Sequence, residues 1–398
     1  MRQDGSAEIS TRRRLSLRWH SESFRALLIQ AVFLALVLGL IGSLILNTLA
    51  NLESRGISTG FGFLTQEAGF GIIQTLIDYS ETSSFARVFV VGLLNTLLVS
   101  FLGILLATLL GFLIGIARLS RNWLVSRIAA AYIEIFRNIP LLLQIFFWYH
   151  AVLSSLPHPR RSHSLADAVF LNQRGLYLPE PVAHAGFAAV PLALAAAIIL
   201  SLLLARWSRR RRDLTGRVFP TLRYLSLLLL GLPTLAFLLA GMPLSWELPA
   251  LRGFNFRGGI VVIPELAALL LALSIYTAAF IAEIVRAGIQ AIPQGQSEAA
   301  SALGLTRLQR LRLVIIPQAL RVIIPPLTSQ YLNLLKNSSL ATAVGYPDLV
   351  NVFAGTSVSN TGQAVEIIAM TMAVYLLISL VISLLMNWYN ALIALVVR

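Results

Sequence analysis

The stretch VFVVGLLNTLLVSFLGILLATLLGFLIGIA, from Val88 to Ala117, is 30 residues long and carries no charge. A membrane helix needs about 20 mainly apolar residues, because each residue rises ~1.5 Å and the hydrocarbon core is ~30 Å thick. The stretch therefore reads as a transmembrane helix, and the composition around it agrees. Of 398 residues, 57% are hydrophobic and 12% charged, whereas soluble domains carry about 25% charged residues. Intrinsic disorder and fibrous repeats are excluded with the soluble domain. A net charge of +14 would suggest nucleic acid in a soluble protein; in a lipid-solvated one it is an orientation charge, and no nucleic-acid partner is expected. Cysteine is absent, which removes disulfides, thiolate nucleophiles and iron–sulfur clusters. His20, His150, His158, His163 and His184 contain no i, i+4 pair, so no metal site is expected.

Seven further segments approach or exceed span length: Ala26 to Leu49, Ile139 to Leu156, Gly186 to Ala205, Tyr224 to Trp246, Leu266 to Ala282, Val322 to about Tyr346, and Ile367 to Val397. The expected fold is an all-α membrane protein with about eight transmembrane helices. Pro325, Pro326 and Lys336 interrupt the Val322 segment. Proline is tolerated in a membrane helix where neighbouring protein satisfies the freed carbonyls, so this helix is expected to be internal and shielded from lipid. The outer loops at 50–87 and 157–185 lack sustained periodicity and are expected to be partly ordered connections. An even number of spans places both termini on one side. With cytoplasmic termini, 23 of the 31 basic residues fall inside and 7 outside, with Lys336 within a span, as the positive-inside bias requires. Arg12, Arg13, Arg14 and Arg18 would hold the N-terminus inside, with the Arg209 to Arg212 run in a cytoplasmic loop. A twin-arginine export signal is the alternative for the first of these clusters. Its apolar core would be about 7–15 residues, shorter than the run from Ala26 to Leu49.

The inner segment from Ala291 reads AIPQGQSEAASALGLTRLQRLR. Pro293 and Gly295 break the preceding helix, and Ser297 suits the N-cap of a short new one through Glu298 to Leu303. Gly304 would end it in the left-handed conformation. Thr306 would open a second, amphipathic helix, with Leu308, Leu311 and Val314 toward the bilayer and Arg307, Arg310 and Arg312 toward water. Two readings stay open on these grounds: a small-residue surface that docks into a partner, or a solvated loop with two amphipathic turns.

Glu298-Ala299-Ala300, then Gly304, then Val314-Ile315-Ile316-Pro317 resembles the EAA motif of membrane subunits of bacterial ATP-binding cassette importers, in spacing at every position. The runs Ala282 to Ile289, Pro317-Gln318-Ala319, Leu335 to Leu340, Asn95-Thr96-Leu97 and Phe136 to Gln144 are similar to the polar amino acid subgroup of those permeases. The resemblance covers roughly Phe89 to Phe147 and Val262 to Tyr389. It implies an importer-type permease core with an extra N-terminal helix and a two-helix insertion, as in general L-amino acid permeases. The implied layout is 1–87, the cytoplasmic N-terminus, extra helix and outer loop; 88–156, the first two core helices; 157–261, the insertion; and 262–398, three further core helices with a coupling loop at 288–320. It also implies a multi-pass protein of the bacterial inner membrane. The expected partners are two cytoplasmic ATP-binding subunits, a second permease chain, homologous or identical, a periplasmic amino acid-binding protein and the lipid bilayer.

Within that resemblance Glu298, Ala299, Ala300, Gly304 and Pro317 are the expected ATPase-coupling residues. No Gly-x-x-x-x-Gly-Lys-Ser/Thr loop occurs, so the chain is expected not to be an enzyme and to hold no cofactor, with ATP and Mg on the partner. Candidate pathway or gate residues are Lys336, Asn333, Asn337, Glu283, Arg286 and Arg137. Lys336, the one lysine, lies at a depth where a charge costs up to ~2.5–3.5 kcal/mol, so it is expected either to meet a substrate carboxylate or to be held by carbonyls or an acid. Glu283 and Arg286 form either a local i, i+3 pair or a gate involving Arg137. The alternative function is a secondary transporter or channel driven by an ion gradient, which would be expected to bury acids at mid-membrane; the long spans have none. A reporter fused after Arg212 and one in the Pro157 to Pro181 loop should register opposite compartments. The same compartment at both sites would overturn the topology.

Overall fold

The computed structural model describes residues 22–54, 59–216 and 219–393; Arg12, Arg13, Arg14 and Arg18 lie outside them. Its helices are α1 (Glu22–Ser54), α2 (Phe85–Arg118), α3 (Trp123–Asn138), α4 (Leu141–Leu153), α5 (Ala189–Thr215), α6 (Thr221–Leu239), α7 (Pro264–Gln290), α8 (Gln294–Ala302), α9 (Arg307–Val344) and α10 (Ala364–Ile393). Among the described residues seven helices are long and apolar enough to cross a membrane, or eight if α3 and α4 together make one bent span. The chain divides into two compact units, residues 1–93 with 349–377 and residues 94–348 with 378–398.

In the first unit, aromatic packing orders what the sequence reading treats as a surface connection. Phe63 is buried, with its ring centroid 6.1 Å from Phe85 and 6.3 Å from Phe353, and Phe89 meets Phe353 edge-on at 5.0 Å. Gly92 lets the start of α2 approach the wide helical turn Leu349–Ser357, since a Cβ there would sit 2.9 Å from the Leu349 Cα. The Gly60 amide donates to Glu366 Oε1 at 2.7 Å, fastening the loop to α10.

The second unit is built around α7. In its most apolar window 61% of residues are buried, against 28% or less in the other spans. Alanines recur along it, and Ala268, Ala272, Ala278, Ala279 and Ala282 are fully buried. Between membrane helices, where hydrocarbon offers no hydrophobic drive, such small side chains let backbones close to van der Waals contact. Helix α2 answers with Gly111 and Gly115. A Cβ at Gly111 would fall 2.6 Å from Ile281 Cβ, and one at Gly115 would fall 2.7 Å from the Ala282 carbonyl oxygen. On another side Gly288 of α7 receives Ile323 of α9, whose Cγ1 would be 2.3 Å from an added Cβ.

Three expectations are corrected. The span expected at Ile139 to Leu156 is α4, whose 13 residues rise only about 20 Å at ~1.5 Å each. It turns 105° from α3. Asn122 starts α3 by accepting from the Leu124 and Val125 amides at 2.9 and 3.3 Å, and Pro140 at the break cannot continue the helix. Second, within the single chain the helix containing Pro325 and Pro326 is shielded on one face only. α9 buries one face, through Ala319, Ile323, Leu327, Leu334 and Leu335, and leaves both prolines exposed. It is also continuous with the amphipathic turn that precedes it. A π-helical stretch, Leu311–Ile315, leads into Pro317, a wider turn that accommodates a residue lacking its amide hydrogen.

Third, the loops around the inserted helix pair are not irregular. They carry β1 (His163–Leu165), β2 (Val169–Asn172), β3 (Gly175–Leu178), β4 (Glu180–Ala183), β5 (Leu244–Glu247), β6 (Ala250–Arg252), β7 (Asn255–Arg257) and β8 (Ile260–Val262). They form an antiparallel sheet in the order β1-β2-β3-β8, the two-stranded antiparallel pair β4–β5 that flanks the inserted helices, and the hairpin β6–β7. Tyr177 packs on Phe256 at 5.0 Å and donates its hydroxyl to Asn255 Oδ1 at 2.9 Å. The inserted spans are shifted as well: α5 runs on through Arg209 to Arg212, and α6 ends before the residues that become β5.

Gly115→Leu should lower the stability of the purified protein by about 1–3 kcal/mol or more, because a backbone oxygen cannot move aside. Gly39→Leu on α1, where an added Cβ meets nothing within 4 Å, is the control. Equal melting temperatures for the two variants would refute the close α2–α7 contact.

Candidate functional site

The loop between α7 and α9 is held in shape by its own backbone. Pro293 is the N-cap of α8 and no side chain caps it, so the helix begins four residues before the start expected from sequence with Ser297 as N-cap. Its other end follows the expectation. The Leu305 amide donates to Ala300 O at 3.2 Å and the Gly304 amide to Ser301 O at 3.0 Å, with Gly304 at φ +74°. This pair of bonds is the Schellman ending, and it requires a left-handed residue where glycine sits without strain. Thr306 then caps α9 through a reciprocal box with Gln309: the Thr306 amide donates to Gln309 Oε1 at 2.9 Å and the Gln309 amide returns to Thr306 Oγ1 at 3.4 Å.

Two side-chain bonds tie α8 to α9. Arg310 Nη1 donates to Ser301 Oγ at 2.6 Å, and Gln318 Nε2 donates to Gln296 Oε1 at 3.3 Å. Ala300 is buried, while Glu298, Ala299, Gly304 and Pro317 are exposed. A Cβ at Gly304 would meet no atom within 4 Å, so among the described residues nothing packs on that side of the glycine. Leu303 and Leu308 stand 81% and 75% exposed beside it.

A second constellation lies between α7 and α9. A cleft of about 310 Å³ is lined by Tyr276, Thr277 and Phe280 from α7 and by Gln330, Asn333, Lys336 and Asn337 from α9. Three of the sequence-predicted pathway residues are thus brought together. Among the described residues Lys336 has neither a carboxylate at salt-bridge distance nor a hydrogen-bond acceptor for its ammonium, so the expectation that carbonyls or an acid hold it internally is not met. Its side chain is exposed in the single chain.

Glu283 and Arg286 pair with each other on α7, with Arg286 Nε donating to Glu283 Oε2 at 2.9 Å and a second bond from its Nη2 to Oε1. Arg286 also donates to Gln290. The pair is local to one helix. Arg137 reaches α7 differently, its guanidinium lying 5.1 Å from the centroid of the Phe280 ring, a cation–π distance. Phe280 therefore connects Arg137 to the cleft that contains Lys336.

Sequence reading quoted Gln144 within a motif and assigned it no task. Its side chain is buried and Nε2 donates to Phe136 O at 3.1 Å and Ile139 O at 3.0 Å. Those are carbonyls at the broken end of α3, which have lost their helical partners. Gln144 is the bolt of the 105° bend. Tyr132 and Tyr149 secure the bent pair to α7, donating to Ile275 O at 2.7 Å and Glu265 Oε1 at 3.0 Å. An amide four residues after a proline that breaks an apolar helix was the available signal.

Residues 197–398 match the family model described as "Binding-protein-dependent transport system inner membrane component". The chain is 60% identical to YhdX of Escherichia coli, named as an amino-acid ABC transporter permease protein, over 96% of this chain and 98% of that one. It is 51% identical to AapQ of Rhizobium johnstonii, a general L-amino acid transport system permease protein, over 95% of this chain and 94% of that one. A solved amino acid ABC transporter aligns over 77% of this chain and 94% of its own, with a TM-score of 0.46 at 22% identity. The spans packed on α7, the EAA spacing across α8 and α9, the family model and the two permease relatives agree: the chain belongs to the inner membrane components of binding-protein-dependent transport systems, as a permease of the ATP-binding cassette importers.

Proposed function

We propose that this permease carries polar L-amino acids inward and is driven by a separate ATPase that docks on α8. The observation that carries the reading is the contrast within the loop: its shape is set by backbone bonds at Gly304 and Thr306, yet among the described residues Glu298, Ala299 and Gly304 stand exposed with open space at the glycine. A rigid projecting helix of small residues suits close backbone approach by a partner. In this reading ATP and Mg bind the partner, whose closure pushes α8. The Arg310–Ser301 and Gln318–Gln296 bonds pass the displacement to the first turns of α9, and α9 carries the cleft at its far end. Both termini and this loop face the cytoplasm, and the β-structured loops face the periplasm, where a solute-binding protein delivers substrate. Two ATPase subunits and a second permease chain complete the assembly. Nothing in the geometry favours an ion-gradient mechanism.

Support for the substrate class comes from the names of the relatives and from the cleft itself. Every amino acid carries a carboxylate, and Lys336 offers a cation with no internal partner, beside the amides of Asn333, Asn337 and Gln330 and the rings of Tyr276 and Phe280. A hydrogen bond to a charged group contributes about 1.5–3 kcal/mol.

Gly304→Asp should leave expression and membrane insertion intact while ATP-dependent uptake falls to background, and Glu298→Lys should abolish co-purification of the ATPase. Normal uptake by the first variant, or normal ATPase retention by the second, defeats the coupling role. For the cleft, Lys336→Met should assemble normally and raise the substrate concentration for half-maximal uptake about tenfold or more. Unchanged apparent affinity at normal assembly would remove Lys336 from the pathway.

A further inference from the structure

The inserted helix pair carries a feature that transport through α7 and α9 leaves unused. On the side of α6 turned away from α5, Arg223, Leu227, Leu230, Leu235 and Leu238 line an open groove of about 570 Å³ with Gly231 in its floor. A five-residue π-helical stretch, Leu227–Gly231, widens the helix there. The groove's two hydroxyls are turned inward to their own helix: Ser226 Oγ donates to Arg223 O at 2.9 Å and Thr234 Oγ1 to Leu230 O at 2.6 Å. Beyond Arg223 the wall is therefore largely apolar and has no hydroxyl proton left to donate to a neighbouring polar helix, a bond by which membrane helices are commonly glued. From Arg223 to Leu238 it runs about 22 Å at ~1.5 Å per residue, ample for an acyl chain crossing a leaflet of roughly 15 Å, half the hydrocarbon thickness.

Arg223 is the one charged lining residue, and it stands at the end of the groove where aromatic rings mark the membrane boundary. Phe219 stacks on Tyr224 at 4.9 Å and meets Trp207 edge-on at 5.3 Å, with the Arg211 guanidinium 5.1 Å over the Trp207 ring. Trp and Tyr favour that depth. Around this belt Arg206, Arg209, Arg210, Arg212 and Arg223 are all exposed, and among the described residues none of them has a carboxylate at salt-bridge distance. Basic side chains gathered beside a span attract anionic headgroups.

We infer that this groove is a binding site for one anionic phospholipid, with its phosphate on Arg223 and an acyl chain lying along Leu227 to Leu238. The inserted pair thereby holds a lipid at the rim of the transporter. The occupant is a lipid rather than a helix because a charge closes one end, hydrocarbon lines the remainder and the hydroxyls are already satisfied.

The test uses the transporter as it purifies from the membrane, delipidated and then offered phosphatidylglycerol or phosphatidylethanolamine, with bound lipid counted by native mass spectrometry. Wild type should retain phosphatidylglycerol about tenfold more strongly. Arg223→Gln should bring that preference close to one. Gly231→Phe should lower retention of both lipids by filling the groove; an added Cβ there first meets Leu227 Cδ1 at 3.9 Å, so the backbone at this position admits a side chain. Arg252→Gln, an exposed arginine of β6, should change neither value. Equal retention of the two lipids by wild type, or undiminished phosphatidylglycerol binding in both groove variants, overturns the site. So does cross-linking of Leu230→Cys to another protein subunit in place of lipid.

Discussion

Helices α2 and α7 touch backbone to side chain at Gly111 and Gly115, and the unit beyond residue 94 is arranged by that contact. Lipid is as apolar as leucine, so helices in it gain little by burying apolar surface and must gain by dispersion at short range. Two glycines one turn apart remove the side chains that would hold the axes separate, and the alanines of α7 do the same on other sides. Once α7 is closely surrounded, the bent pair α3–α4 is secured to it by Tyr132 and Tyr149. α9 is keyed to it by Ile323 seated at Gly288. The polar faces that remain, on α7 near Tyr276 and on α9 near Lys336, are left looking into a shared cleft.

The same helix links both ends of the proposed mechanism. α7 ends at Gln290, the loop turns through α8, and α9 returns beside α7. A displacement at α8 meets a helix already locked against α7 at one level, at Ile323, and free to present Asn333, Lys336 and Asn337 at another. The π-helical stretch and Pro317 sit between the docking turn and that lock. They interrupt the regular hydrogen-bond ladder where bending would be least resisted.

Much of this was readable beforehand. Uncharged length identified α2, α5, α6, α7 and α10, because membrane burial acts on every residue of a span at once. Gly304 and Thr306 were readable because a left-handed turn and a capping box depend on neighbours within five residues. The bend at Asn138 to Pro140 was missed. Apolar length says nothing of direction, and the compensation comes from Gln144, whose role is visible only once the chain has folded back on itself. The β-strands were missed for a related reason. Each is three or four residues long, too short for alternation to register, and β3 pairs with β8 across the whole inserted hairpin. Proline says little of shielding in α9: a wider turn relieves Pro317, and within the single chain Pro325 and Pro326 lie on the open face.

That long-range pairing bears on how an insertion of this size can sit inside a working permease. Leu176, Tyr177 and Leu178 of β3 lie opposite Val262, Val261 and Ile260 of β8, and β8 leads through Ile263 directly into α7. The two ends of the excursion are thus stitched together before the inserted helices begin and after they finish. The hairpin is a side branch closed at its root. Tension between α4 and α7 is carried across the β3–β8 ladder without travelling through α5 and α6, so those helices are free to diverge in length, sequence or surface while the core they hang from keeps its geometry.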